Sequence, residues 1–167
     1  VVINSGSGNQ GLTVSVPLII YARKNNIDQE KLYRGLVISN LTAIHLKTEI
    51  GRLSAFCGAV SAGAASGAGL AYLKGANEEV MNHTIVNALG ITSGIICDGA
   101  KASCAAKIAV SVEAGILGYE MFMNGQQFYG GDGIISKGIE NTIHNIGLLG
   151  SKGMSSTDQE IIKIMCE

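Results

Sequence analysis

Charge is what this sequence has least of. Only 15% of its 167 residues are charged, against 47% that are apolar, and the formal net charge is −1. Near-neutrality removes the electrostatic footprint that a nucleic-acid or other polyanionic partner requires. A small domain standing alone needs more charged surface than this. Part of the surface is therefore expected to be covered, by the rest of a longer protein or by a second subunit of a homo-oligomer. The chain opens on Val1-Val2-Ile3 with no initiator Met, and we expect a fragment of something larger.

Alternation of apolar and polar residues at period two is also missing over any useful length, which excludes an ordinary sheet. The expectation is an all-α chain: one compact helical domain over 1–167, of about six to seven helices, with Gly/Ala-rich helices at its centre and no internal repeat. Helices are expected over 12–25, 28–49, 52–73, 78–94, 103–123, 134–149 and 159–166. The only proline, Pro17, falls about one turn into the first of these, where it is better tolerated than further in. Residues 55–73 carry no charge and are long enough to cross a bilayer. Gly58, Ser61, Gly63, Ser66, Gly67 and Gly69 make that stretch poorly hydrophobic, and neither an aromatic belt nor a Lys/Arg bias flanks it. A buried helix that lets neighbouring backbones approach closely is expected there, and no membrane association.

No signal segment is seen, and the spacing of the four cysteines matches no small secreted scaffold. Cysteines clustered in this way in a cytoplasmic protein serve metal or redox chemistry more often than disulfides. Three of them fall in two short stretches, Phe56-Cys57-Gly58 and Cys97-Asp98-Gly99-Ala100-Lys101-Ala102-Ser103-Cys104. In one regular helix Cys97 and Cys104 would stand roughly 10 Å apart, far for two ligands of one centre. A turn at Gly99 would fold the sulfurs closer, with Asp98 able to cap the helix that follows. The pair is not C-x-x-C, which disfavours structural zinc. Free cysteine also packs as a small hydrophobe, and spacing alone leaves core packing ahead of a metal. Lys101 and Lys107 interrupt this apolar region. A lysine there can meet a substrate carboxylate or extend to water. His45, His83 and His144 have no i, i+4 partner and read as surface or capping residues.

Upstream, Gly6-Ser7-Gly8-Asn9-Gln10-Gly11 matches G-x-G-x-x-G, with Asp28 at the distance of a ribose-binding acid. The dinucleotide reading fails because Asp28 opens a helix, where a second strand is needed. What survives is a glycine-rich loop delivering backbone N–H groups to a helix N-terminus, a good anion site. Ser5, Ser7, Asn9 and Gln10 add side-chain donors. An ordinary flexible loop is the plain alternative.

Together, Ser5-Gly-Ser-Gly-Asn-Gln-Gly-Leu, Phe56-Cys57-Gly-Ala with its Ala/Gly helix, and Gly94-Ile-Ile-Cys97-Asp98-Gly resemble the α-chain of iron–sulfur L-serine dehydratases, in particular the branch of the L-cysteine desulfidases. The resemblance spans nearly the whole chain and corresponds to the C-terminal part of a longer protein. It implies an all-helical catalytic domain with a [4Fe-4S] cluster on Cys57, Cys97 and Cys104. The fourth iron, without a protein ligand, would act as a Lewis acid on the serine hydroxyl or the cysteine thiol. Elimination gives aminoacrylate, which decays to pyruvate and ammonia, with sulfide released in the cysteine case. Ser5, Gly6, Ser7, Asn9, Gln10 and Gly11 would hold the carboxylate of the small amino-acid substrate, with Lys101 a further candidate. The short gap between the second and third cysteines, and Gly99 where serine dehydratases commonly have proline, favour the desulfidase branch. The base belongs to the family's N-terminal portion, so this chain by itself is expected to be inactive. A cysteine at the chain end can close on the open iron in the serine branch. Cys166 is placed for that role, whereas its register with Ile162 reads as an inner apolar face. The alternative from another class is a non-catalytic helical domain with a binding or regulatory role.

Overall fold

Residues small enough to let backbones touch decide the architecture. The computed structural model describes residues 1–167. Its helices are α1 (Gly8–Lys24), α2 (Gln29–Ile50), α3 (Gly58–Leu73), α4 (Glu78–Thr92), α5 (Cys104–Met123), α6 (Ile139–Leu148) and α7 (Ser155–Cys166), with a π-helical turn at Leu149–Gly153. There are no strands, only isolated bridges, and the all-α expectation holds. No helix is long and apolar enough to cross a membrane.

The Ala/Gly/Ser helix α3 is the hub. All but two of its 16 residues are buried, and it packs against α1, α2, α4 and α5. Its contact with α5 depends on missing side chains. A Cβ at Gly63 would stand 2.3 Å from the Ser111 carbonyl oxygen, and one at Gly67 would stand 2.7 Å from the Gly115 Cα. Gly63 and Gly67 are one turn apart, as are Ser111 and Gly115, so the two helices meet along matching rows of small residues. The main core, with Phe56, Leu46, Ile50, Leu89, Ile143 and Ile146, fills the space between α2, α3, α4 and α6. Two reciprocal pairs, His45 with Glu140 at 2.9 Å and His144 with Glu49 at 3.5 Å, join α2 to α6 across the surface.

Several boundaries differ from the sequence reading for physical reasons. α1 begins at Gly8, four residues early, because the Ser7 side chain caps it by accepting from the Gln10 N–H. Gly11 is then inside the helix, beneath the Val2 carbonyl, where a Cβ would stand 1.7 Å from that oxygen. Pro17 consequently lies more than two turns in. α3 starts at Gly58 rather than at 52, because 55–57 pair with 95–97. α6 starts at Ile139 rather than 134. Ser136 instead exchanges hydrogen bonds with the Thr142 hydroxyl, and Gly138 turns the chain at φ 87. In α7, Ser155–Asp158 form the first turn rather than a cap ahead of it, and no residue is buried. Cys166 and Ile162 are exposed, which overturns the inner-face reading of Cys166. Asp28 caps α2 by accepting from the Lys31 N–H, in keeping with the rejection of a dinucleotide fold.

The shortage of charge has a visible counterpart. Leu12, Val16 and Ile20 on α1 and Tyr33, Val37, Leu41 and Ile44 on α2 recur at helical spacing and are all exposed.

Gly63→Ala should lower unfolding stability by about 2 kcal/mol, since the methyl group must displace the α5 backbone. Gly94→Ala, with no atom near its Cβ position, should stay within about 0.5 kcal/mol. Chemical denaturation of the two variants checks both, and equal stabilities would show that the α3–α5 contact is not tight.

Candidate metal centre

Cys57 and Cys97 come from the open end of the α3–α4 hairpin. There the chain forms a short antiparallel pairing. The Cys57 N–H donates to the Ile95 carbonyl at 3.1 Å, the Cys97 N–H donates to the Ala55 carbonyl at 2.6 Å, and Phe56 faces Ile96 between them. Residues two apart on a pleated chain share a face. Cys57 and Cys97 therefore project from the same side as diagonal neighbours, while Phe56 is buried in the core.

Cys104 is brought in by a turn. Gly99 takes φ +86, a conformation that suits glycine, and the chain reverses before α5 starts at Cys104 itself. The Cys104 sulfur lies 3.4 Å from the Lys101 nitrogen and 3.5 Å from the Gly99 carbonyl oxygen. Asp98 does not cap α5. Its carboxylate takes the Lys107 ammonium at 2.5 Å, and the same ammonium donates to the Ile96 carbonyl at 2.9 Å. Lys107 thus braces the Cys97 loop against α5.

The three sulfur-bearing residues line one cavity of about 300 Å³. All four cysteines are free. Of the residues singled out in the sequence, Gly6, Ser7, Asn9 and Gln10 line the same cavity; Ser5, Gly11 and Lys101 do not. Ser5 lines an adjoining cavity with Lys47 and Arg52, Gly11 is packed under Val2, and Lys101 is exposed. Lys107 stands in the wall instead. Lys47 and Arg52 complete the cavity and were not singled out in the sequence. Lys47 has a readable signal: it falls in register with Ala43, Leu46 and Ile50 on the buried face of α2, and it is only 4% exposed. For Arg52 no signal is apparent.

The charged side chains that line this cavity are all cations, one of them, Lys107, paired with Asp98. Lys47, Arg52 and Lys107 line it, and no Asp or Glu does. The N-termini of α1, α3 and α5 also open onto it, through Ser7, Cys57 and Cys104. Unpaired N–H groups at a helix start favour negative charge, and three such ends converge. α3 has no side-chain cap. The neighbouring Cys97 thiol, together with burial, pushes the Cys57 pKa well up. The Cys57 thiol in turn pulls Cys97 down to about 5, aided by the Gly99 N–H and the Lys107 and Lys47 charges, against the opposing effect of burial. Burial lowers the Lys47 pKa, partly offset by Cys97 and Cys57.

Gln10 is closely fitted. It is 5% exposed, and a Cβ at Gly58 would stand 2.5 Å from its amide carbon. Its Nε2 donates to the Ser5 carbonyl at 3.4 Å, while Oε1 is buried without a partner. Chemically the cavity offers soft thiolate donors, cations and an orphaned acceptor. No three His, Cys, Asp or Glu side chains converge on one metal-ion position.

Residues 1–163 match the family described as serine dehydratase alpha chain. The chain is 66% identical to a UPF0597 protein of Desulfitobacterium hafniense (strain Y51), over 99% of its own length and 38% of the relative's. A UPF0597 protein of Treponema denticola is 56% identical over 99% of the chain and 38% of the relative, and one of Finegoldia magna 54% identical over 100% and 40%. The chain therefore spans about two fifths of the length of these relatives. No solved structure matches it.

In the iron-free protein, alkylation of Cys97 by iodoacetamide should show a pH inflection near 5, with Cys57 inert over the same range. Lys107→Met should move that inflection upward. Peptide mass mapping of the alkylated sites reads this out. Equal labelling of both thiols, rising only at alkaline pH, would contradict the opposite shifts of the pair.

Proposed function

The chain belongs to the serine dehydratase alpha-chain family, and from that premise we propose that it is the cluster-binding portion of an iron–sulfur-dependent β-eliminating lyase. The substrates in this reading are L-cysteine, giving sulfide, ammonia and pyruvate, or L-serine, giving ammonia and pyruvate. The observation that carries it is the meeting of Cys57, Cys97 and Cys104 in one cavity with three cations and no carboxylate.

The donor set suits the group. Three thiolates around a cluster and an amino-acid carboxylate beside it are all anionic, and three helix N-termini with Lys47, Arg52 and Lys107 offset that charge. Cys57, Cys97 and Cys104 would hold a [4Fe-4S] cluster, which when bound supplies a Lewis-acidic iron without a protein ligand. The chain's own residues then bind and orient. Ser7, Asn9 and Gln10 offer donors at the start of α1 for the substrate carboxylate, with Gly6 allowing close backbone approach. Ser5 supports Gln10 through its carbonyl, Gly11 fixes the start of α1 under Val2, and Lys101 meets the Cys104 sulfur through its backbone N–H. No base is assigned within 1–167. The rest of the polypeptide, which the relatives' greater length suggests, would supply it and would cover the apolar faces of α1 and α2, in a cytoplasmic homo-oligomer.

Anaerobic reconstitution tests this directly. Single Ser substitutions at Cys57, Cys97 or Cys104 should lower bound iron several-fold, and Cys166→Ser should leave it unchanged. Asn9→Ala and Gln10→Ala in the full-length protein should raise KM about ten-fold with the cluster spectrum intact. Full iron retention after loss of Cys97 would overturn the ligand set. A full-length protein that binds iron but releases neither sulfide nor pyruvate would favour the non-catalytic reading.

A further inference from the structure

A lysine in the last turn of a helix ordinarily lies along the surface, with its ammonium in water near the negative end of the helix dipole. Lys47 stands in the last turn of α2 but on its buried face, and is 4% exposed. Burying an ammonium without a partner is costly. The ammonium groups of Lys74, Lys107 and Lys163 each hold a carboxylate of this chain. That of Lys47 makes neither an ion pair nor a side-chain hydrogen bond. Its nitrogen is not among the polar atoms that the fold seals off without a partner, as Gln10 Oε1 is, and so it can still be reached from outside the fold.

Lys47 stands where two cavities meet. It lines the cysteine cavity with Cys57 and Cys97, and it lines the adjoining cavity, of about 450 Å³, with Ser5, Thr48 and Arg52. The Cys97 sulfur feels its charge, which agrees with a nitrogen on the cavity side. The glycine-rich turn before α1 borders the same place: a Cβ at Gly6 would stand 3.8 Å from the Arg52 carbonyl oxygen. An anion held at the start of α1 therefore has Lys47 as its buried neighbour. The other cations are less suited. Lys107 is taken up by Asp98 and by the Ile96 carbonyl. Lys101 lies outside the cavity, and Arg52 is exposed.

In free serine and cysteine at neutral pH the α-carboxylate is the one anionic group. We propose that Lys47 forms the ion pair with the substrate α-carboxylate, and that this pair selects amino acids over their carboxyl-blocked derivatives. The proposal rests on the lyase reading of the cysteine cavity. In it Lys47 supplies the charge, and Ser7 and Asn9 supply neutral donors that orient the same carboxylate.

L-Alanine carries the carboxylate but no β-leaving group, and in L-alaninamide a neutral amide replaces the carboxylate. Both report binding without turnover. Titration calorimetry of the reconstituted full-length protein should show alanine bound at least ten-fold more tightly than alaninamide. Lys47→Met keeps the length of the side chain without its charge. It should abolish that preference by weakening alanine alone, with bound iron and the cluster spectrum unchanged. Because it removes a buried unpaired charge, the iron-free variant should unfold at the same or a higher denaturant concentration than the unsubstituted protein. A less stable variant would show that Lys47 is held by the fold itself, and would overturn the proposal. Loss of iron from Lys47→Met would assign the lysine to the cluster instead, and would overturn it too. If the unsubstituted protein releases pyruvate from cysteine or serine but Lys47→Met keeps the preference for alanine, the assignment of Lys47 falls and the lyase reading stands. If the unsubstituted protein releases no pyruvate and shows no preference for alanine, both fall.

Discussion

Two backbone hydrogen bonds, between Cys57 and Ile95 and between Cys97 and Ala55, hold the candidate centre together. They close the open end of the α3–α4 hairpin, where the chain leaves one helix and enters the other. Without that pairing nothing would fix the two sulfurs on one face, since they belong to segments forty residues apart in sequence. Phe56, fully buried between Ala55 and Cys57 in the strip, anchors the pairing in the core. The Lys107 ammonium, bound to Asp98 and to the Ile96 carbonyl, ties the same strip to α5 and so sets where Cys104 stands. The small-residue contact of α3 with α5 makes this approach sterically possible.

The cavity is organised for negative charge. Burying Lys47 away from any carboxylate disfavours its charged form, and the positive ends of three helices point into the same space. An anionic occupant offsets each of these. The Cys57 and Cys97 thiols titrate as a coupled pair, with Cys57 held up and Cys97 held down among the cations. This explains how a neutral, charge-poor chain can carry a strongly polarised site.

Much of the fold was legible because helices announce themselves by periodicity. The bodies of α2, α4 and α5 fall where apolar spacing and, for α2, Asp28 put them. The failures are local and physical. Glycine content argued for a loop through Gly11, but Ser7 caps the helix and Val2 crosses over it. Ser136 and Gly138 hold 134–138 out of α6 through bonds to Thr142 that no pattern reveals. In the site, the turn at Gly99 was readable from composition, whereas the pairing of 55–57 with 95–97 was too short to register as a strand. Lys101 and Lys107 looked alike in the sequence, and only the start of α5 at Cys104 turns one outward and the other into the cavity wall. Arg52 left no trace, because its place follows from a long-range arrangement of the segment before α3.

The central claim is that three thiolates from this strip and from the start of α5 share one iron–sulfur cluster that leaves an iron open to substrate. Mössbauer spectroscopy of protein reconstituted with isotopically enriched iron measures it most directly. The account predicts one iron subsite distinct from the others, shifting when L-cysteine or L-serine is added while the rest stay fixed. Equivalent subsites indifferent to both amino acids, or iron held only as isolated mononuclear ions, would contradict it.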